Sequence, residues 1–199
     1  MLKVYLLRHG ETAFNADGNR YCGRTDIPLT EKGIAQANAV KEQLVGKTID
    51  AVYASPLMRA KTTAEIASDG RGVSIDERLI EVNFGKWEGK RRNEFIAENP
   101  ELWQQWEHSP ETTSAGETGE TAAEVVARVE AFFEEMLAKH RGQTIMVVGH
   151  NGINRLFMSH KLGMPLKNYR KIVQQNSSLT MFQLDDNGEF TLERLNTTS

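Results

Sequence analysis

Apolar positions along this chain fall into short continuous runs, and the stretches between them carry helical spacing. The first run, Val4-Tyr5-Leu6-Leu7, lies in a predicted strand over Lys3–Leu7. Ile49–Ala54 and Thr144–Val148 are further runs of this kind, and Val73–Ile75 is a short one. Thr30-Glu31-Lys32-Gly33 opens a predicted helix to about Leu44, with Ala35, Ala37, Val40 and Leu44 at partly helical spacing. Ser55-Pro56 is expected to start the next helix, because proline is tolerated in a first turn. Thr121-Ala122-Ala123-Glu124 is a capping box that opens the strongest helix, to about His140, with Val125, Val129, Phe132, Phe133 and Met136 on its buried side. Gly149-His150-Asn151-Gly152 leads into a helix ending near Gly163. Leu179–Leu184 and Phe190–Leu195 flank Asp186-Asn187-Gly188 as a closing hairpin. Strands alternating with helices predict an α/β three-layer sandwich.

Two stretches break this rhythm. The chain from Gly10 to Pro28 is polar and reads as a loop. From Leu79 to about Pro110 it is irregular, with helices expected at Arg91–Glu98 and Pro100–Trp106. Trp103 and Trp106, three residues apart, share a face of the second helix. They form either a small satellite core or an aromatic wall over a ligand, and core is preferred for at least one. Glu111–Gly119, rich in Thr, Ser, Gly and Glu, reads as an exposed loop. A length of 199 residues with no repeat, low-complexity tract or linker indicates one domain, or one with an inserted cap.

A net charge of −3 gives no sign of a nucleic-acid surface, and Lys90-Arg91-Arg92 is read as a solvated helix start. No apolar run approaches the roughly 18 residues that span a bilayer, so no membrane partner is expected. The amino terminus enters a strand without a signal-peptide pattern. Cys22 is the only cysteine. It excludes an internal disulfide and fits a reducing cytoplasm. A small loop residue near the site is preferred for it over a reactive thiol. No His/Cys cluster has zinc spacing and no P-loop is present, so no metal and no cofactor are expected. His108, His140 and His160 are read as surface histidines.

The candidate chemistry sits at strand ends, where reacting groups collect in α/β sheets. Arg8 and His9 follow the first strand directly, and Gly10 lets backbone or ligand come close. Arginine's planar fork suits a phosphate, and a neutral imidazole can act as a nucleophile near pH 7. Phosphoryl transfer needs an in-line nucleophile, positive charge on the equatorial oxygens and an acid for the leaving group. His9 fits the first. Arg8, Arg59 and His150 fit the second, with His150 as an imidazolium and Asn15 as a neutral donor. Glu81, before Phe84-Gly85 and Trp87, fits the third, and partial burial there could keep its carboxyl protonated. Glu11 is expected to form only a surface pair.

Four separated motifs fall in order along the chain. They are Arg8-His9-Gly10-Glu11 with Asn15, Gly23 and Asp26–Thr30; Ser55–Ala60; Glu81–Gly89; and Val147–Gly152. Together they resemble the histidine phosphatase, or phosphoglycerate mutase-like, superfamily over nearly the whole chain, within its broad-specificity or α-ribazole phosphatase-like branch. The resemblance implies a mixed, mostly parallel six-stranded sheet, with Leu79–Gly119 as a cap over its carboxyl ends. It implies His9, Glu81, His150, Arg8 and Arg59 as catalytic residues. It also places Asn15, Cys22, Gly23 and Asn151 with them against substrate. Gly119-Glu120-Thr121 matches a family pattern that capping explains, though Thr121 could also face the pocket. Asn151 departs from the commoner Gly.

The expected activity is metal-independent hydrolysis of a small phosphorylated metabolite through a phosphohistidine. A bisphosphoglycerate-dependent phosphoglycerate mutase is the alternative. Such mutases carry Arg-x-Tyr-Gly after the acid and a Trp-Arg-Arg further on. Here Val82-Asn83-Phe84-Gly85 follows Glu81, and Glu107-His108-Ser109 follows Trp106. A non-catalytic regulatory member is the third possibility, disfavoured because a binding module has no need of the acid. A homodimer is left open.

Overall fold

The computed structural model describes residues 1–198. The first apolar run is strand β1 (Leu2–Arg8), parallel to β4 (Thr144–Gly149) on one side and antiparallel to β5 (Leu179–Leu184) on the other. Strand β2 (Ala51–Ala54) lies parallel to β4, β3 (Val73–Ile75) parallel to β2, and β6 (Phe190–Thr197) antiparallel to β5. The mixed six-stranded order is β3-β2-β4-β1-β5-β6. Side chains alternate faces along a strand. Leu2, Val4 and Leu6 therefore pack with Phe132 and Phe133 of helix α6 (Ala122–Lys139) and Ile153 and Phe157 of α7 (Asn151–Lys161). Tyr5 and Leu7 pack on the opposite face with Val40 of α2 (Glu31–Gln43) and Ala60 and Ala64 of α3 (Met58–Ala67). A helical layer thus covers each face of the sheet.

Several local expectations are corrected. Helix α3 starts at Met58, because the Ser55 amide still bonds Val148 O at 3.1 Å and a residue before proline resists the helical region. The polar stretch after Gly10 contains α1 (Ala13–Ala16), capped by Thr12. His140 is buried: its ring bonds the Tyr53 hydroxyl at 2.8 Å and Gln143 Oε1 at 2.6 Å, because it caps α6 beside β2. Trp103 and Trp106, on α5 (Pro100–His108), both join the sheet-face core with Trp87 and with Phe95 of α4 (Arg92–Glu98). Trp87 stacks on Phe95 at 4.8 Å. Neither Trp103 nor Trp106 lines the pocket, so the aromatic-wall reading fails. Within Glu111–Gly119, Ala115 and Gly116 are buried, because their turn packs on the backbone of Phe84–Trp87. Among the described residues, no helix is long and apolar enough to cross a membrane.

Candidate active site

Sheet register assembles the site. Arg8 pairs with Gly149 across β1 and β4, so the residues that follow each, His9 and His150, emerge side by side with ring centroids 5.1 Å apart. Ala54 pairs with Val148 across β2 and β4, which brings Ser55 Oγ to 2.7 Å from His150 Nε2. Three strand ends thus deliver three polar groups to one edge. Gly10 is needed there for a backbone contact, since a Cβ would lie 2.5 Å from Gly33 O in the first turn of α2. Arg8 and His9 line a pocket of about 550 Å³ with Asn15, Cys22, Gly23, Arg59, Glu81 and Asn151, and His150 is fully buried beside His9.

His9 Nδ1 bonds Gly10 O at 2.7 Å. A carbonyl only accepts, so Nδ1 carries the proton and Nε2 keeps the lone pair. Burial first, then the guanidiniums of Arg59 and Arg8, hold His9 well below its ordinary titration range. His150 is lowered in the same way, by burial, Arg59 and His9 in turn. This corrects the expected imidazolium: His150 is neutral. Ser55 Oγ accepts from Leu57 N at 3.3 Å, so its own proton can go to His150 Nε2, making Nδ1–H the donor. Positive charge comes instead from Arg8 and Arg59. Arg8 Nη1 is tied to Gln174 O at 2.7 Å, and Arg59 donates to Thr25 O at 2.8 Å and Gly23 O at 2.7 Å. The Nε of each arginine and Nδ1 of His150 are buried without a protein partner. Unpaired buried donors are costly, and an oxyanion is the kind of acceptor that two guanidiniums lining one pocket call for.

These depressed imidazoles have a consequence in pH. An unfolded histidine titrates near 6.5, and the folded state resists that proton. Stability is therefore complete above about pH 6.5 and is lost as pH falls towards the lowered folded values. Thermal melts should show Tm falling between pH 7 and 5.5, with a shallower fall in His9→Ala. An unchanged slope in that variant would contradict the lowered His9.

Glu81 is buried and both its oxygens accept: Oε1 from Val82 N at 2.9 Å and Ile153 N at 3.1 Å, Oε2 from Gly152 N at 3.0 Å. The carboxylate rests against the first turn of α7, and Gly152 makes this possible. A Cβ there would lie 2.6 Å from Glu81 Oε1 and 2.9 Å from Val82 Cγ2. Gly152→Ala should push the carboxylate aside and lower kcat by roughly 10²-fold, the scale of a 1 Å misplacement, with Tm lowered by the crowding against buried Val82. Wild-type kcat in that variant would detach Glu81 from the chemistry. Behind Glu81, Arg128 donates to Arg78 O, Ile80 O and Glu81 O at 2.6, 2.7 and 3.3 Å. Glu120 holds Arg128 at 2.9 Å and accepts from Asn83 N at 2.8 Å. Glu120 therefore fastens the loop of the acid, beyond the capping that the sequence explains through Thr121 and Glu124.

Of the sequence-predicted site residues, Arg8, His9, Asn15, Cys22, Gly23, Arg59, Glu81 and Asn151 line the pocket, while His150 is fully buried beside His9, ring centroids 5.1 Å apart. Asn15 Oδ1 is used by Thr12 N at 3.1 Å and Asn176 Nδ2 at 3.2 Å, leaving its amide nitrogen to donate. Gly23 contributes its carbonyl to Arg59. Burial pushes the Cys22 thiol up to about 11, so it is not a poised thiolate. Thr121 does not line the pocket, and Glu11 pairs with Lys32 at 3.0 Å. Arg20, Tyr21, Arg155, Tyr169 and Arg170 line the pocket without having been singled out in the sequence, and Arg91 and Arg92, which open α4 as expected with Arg92 exposed, line it too. Arg155 had a signal, since it stands four residues after Asn151 on one helix face. The segment 164–178 had no period to place Tyr169, Arg170 or Gln174.

The family model described as histidine phosphatase superfamily (branch 1) matches residues 4–198. Phosphoserine phosphatase 1 of Hydrogenobacter thermophilus is 31% identical over 94% of this chain and 88% of that protein. The adenosylcobalamin/alpha-ribazole phosphatase of Escherichia coli is 35% identical over 82% and 81%, and a probable phosphoglycerate mutase GpmB of Yersinia pestis is 34% identical over 90% and 84%. The solved structure of a mutant phosphoserine phosphatase of Entamoeba histolytica, in complex with phosphoserine, superposes with a TM-score of 0.91 at 30% identity, covering 100% of this chain and 98% of that one. With its fold and its paired strand-end histidines, the chain belongs to branch 1 of the histidine phosphatase superfamily.

Proposed function

We propose that the protein hydrolyses a small phosphorylated metabolite, with His9 as nucleophile and Glu81 moving the proton. The carrying observation is the tautomer: the Nδ1 bond to Gly10 O at 2.7 Å leaves Nε2 of a neutral imidazole to attack. Nε2 attacks phosphorus, the P–O bond to the alcohol breaks, and the leaving oxygen takes a proton. Arg8, Arg59 and His150 Nδ1–H bind the equatorial oxygens, where charge-assisted hydrogen bonds act most strongly in a dry site. Glu81 supplies the leaving-group proton from its carboxyl. It then takes a proton from water as water attacks phosphorus, the P–N bond breaks and neutral His9 returns. No step calls for a metal ion, and the unpaired Cys22 fits a cytoplasmic setting.

The test is a screen of phosphorylated metabolites, run in EDTA with released phosphate as the readout. Phosphate release from one or a few esters is expected. Absence of release from every ester, a generic aryl phosphate included, would overturn the reading.

One observation favours the mutase alternative. A mutase needs extra cations near the phosphate, and Arg91 and Arg92, which already kept that alternative open, line the pocket together with Arg155 and Arg170. Conversion of 3-phosphoglycerate to 2-phosphoglycerate with bisphosphoglycerate present, without phosphate release, would select that alternative.

A further inference from the structure

The backbone beside the nucleophile is held at every polar group from His9 to Glu11. His9 N donates to Gly149 O at 3.2 Å, and His9 O accepts from Ser177 N at 3.1 Å. Gly10 N donates to Thr63 Oγ1 at 3.0 Å. Glu11 N donates to Gln36 Oε1 at 2.8 Å, and Glu11 O accepts from Thr30 N at 2.9 Å. Gly10 O takes the His9 ring, 2.7 Å from Nδ1. A bond from a ring to the next residue's carbonyl exists for only one orientation of that carbonyl. The Gly10 carbonyl and the Glu11 N–H belong to one planar trans peptide and point in opposite directions. Whatever holds the Glu11 N–H therefore also aims the Gly10 carbonyl.

That holder is a side chain. Gln36 stands on α2 one turn beyond Gly33, where an added Cβ would lie 2.2 Å from Glu11 O. The bare backbone of Gly33 lets the loop lie on the helix, and Gln36, on the same face, then reaches its amide. Among the described residues, no other hydrogen bond uses the Gln36 side chain. The neighbouring His9–Gly10 peptide is held from the other helix of this face: the Thr63 hydroxyl of α3 donates to Arg59 O at 2.7 Å and so accepts from Gly10 N. Without a fixed acceptor at Nδ1, the His9 ring is free to carry its proton on Nε2, which removes the attacking lone pair.

We propose that Gln36 is a positioning residue for the nucleophile: it locks the Gly10–Glu11 peptide so that His9 keeps its proton on Nδ1 and offers Nε2 to phosphorus. This rests on the phosphatase reading, in which Nε2 attacks.

The test reads the tautomer and the turnover separately. Two-bond ¹H–¹⁵N spectra of protein labelled in its histidines report which ring nitrogen is protonated, and the signal missing from His9→Ala assigns His9. Wild type near neutral pH should show the Nδ1–H form. Gln36→Met, similar in length but without the oxygen, should bring in the Nε2–H form. It should lower kcat roughly 10-fold, the scale of one hydrogen bond. KM should stay within about 2-fold, because the phosphate arginines are untouched. Gln36→Ala should do the same, and since alanine suits a helix best it decides the matter if the methionine variant folds poorly. Gln36→Glu keeps the acceptor and should restore both the tautomer and kcat to within about 3-fold of wild type. A wild-type tautomer in both Gln36→Met and Gln36→Ala would overturn the proposal, whether or not kcat falls. So would a loss that Gln36→Glu does not restore. Wild-type hydrolysis with a tautomer indifferent to Gln36 would sink the positioning role and keep the phosphatase. A tautomer that follows Gln36 in a protein that hydrolyses no ester would keep the positioning role and sink the phosphatase.

Discussion

Replacing His9 by alanine should abolish turnover, with a loss of roughly 10⁴–10⁶-fold, the scale seen when an enzyme's nucleophile is removed. The fold should survive. His9 is buried, but its only side-chain hydrogen bond is to the Gly10 carbonyl, and β1 is held on both sides by the backbone ladders to β4 and β5. The variant should still bind phosphate, because Arg8, Arg59 and His150 Nδ1 remain. Phosphate release by the purified variant, freed of contaminating phosphatase, would be compared with wild type. Full activity would refute the nucleophile.

Glu81→Gln should discriminate between leaving groups. A general acid matters most for a poor leaving group, so an alkyl phosphate should slow by roughly 10²–10⁴-fold. Phosphorylation of His9 by an aryl phosphate needs less protonation and should suffer less. Water attack also uses Glu81, so phosphoenzyme should build up, giving a burst of phenol without matching phosphate. The glutamine amide cannot accept from all three backbone donors at Val82, Gly152 and Ile153. Glu81→Ala is therefore the paired control. Equal slowing for both leaving groups, with no burst in either variant, would make Glu81 structural. Glu88 and Glu11 would be the next candidates for the acid. Neither lines the pocket: Glu88 accepts from Arg24 N at 3.0 Å and Thr25 Oγ1 at 3.1 Å, and Glu11 is held by Lys32.

Local pattern made much of this legible. Strands such as β1 and β4 are uninterrupted apolar runs, which buried parallel strands require, and the residue after each strand falls at the sheet edge where the site forms. Arg8, His9 and His150 were readable for that reason. The capping box at Thr121 was readable because both partners lie within four residues. Long-range contacts were not readable. Arg128 clamps the carbonyls of 78–81 from about fifty residues away, and nothing near it in sequence signals that contact. Tyr169 and Arg170 sit in a short 3₁₀ segment, Leu166–Lys171, without an amphipathic period. The charge of His150 was misjudged because it depends on assembly. His150 is neutral owing to burial and to Arg59, from another strand-to-helix turn. Glu81 accepts three bonds because Gly152, 71 residues away, leaves room for its carboxylate.

The most direct measurement of the central claim is a rapid acid-free quench of wild-type protein with phosphate-labelled substrate, followed by peptide mapping. One labelled site is expected, on His9, stable in base and lost in acid as a phosphoramidate is, and absent from His9→Ala. Label on any other residue, or full turnover with no phosphoenzyme formed at a rate that could support it, would contradict nucleophilic catalysis by His9.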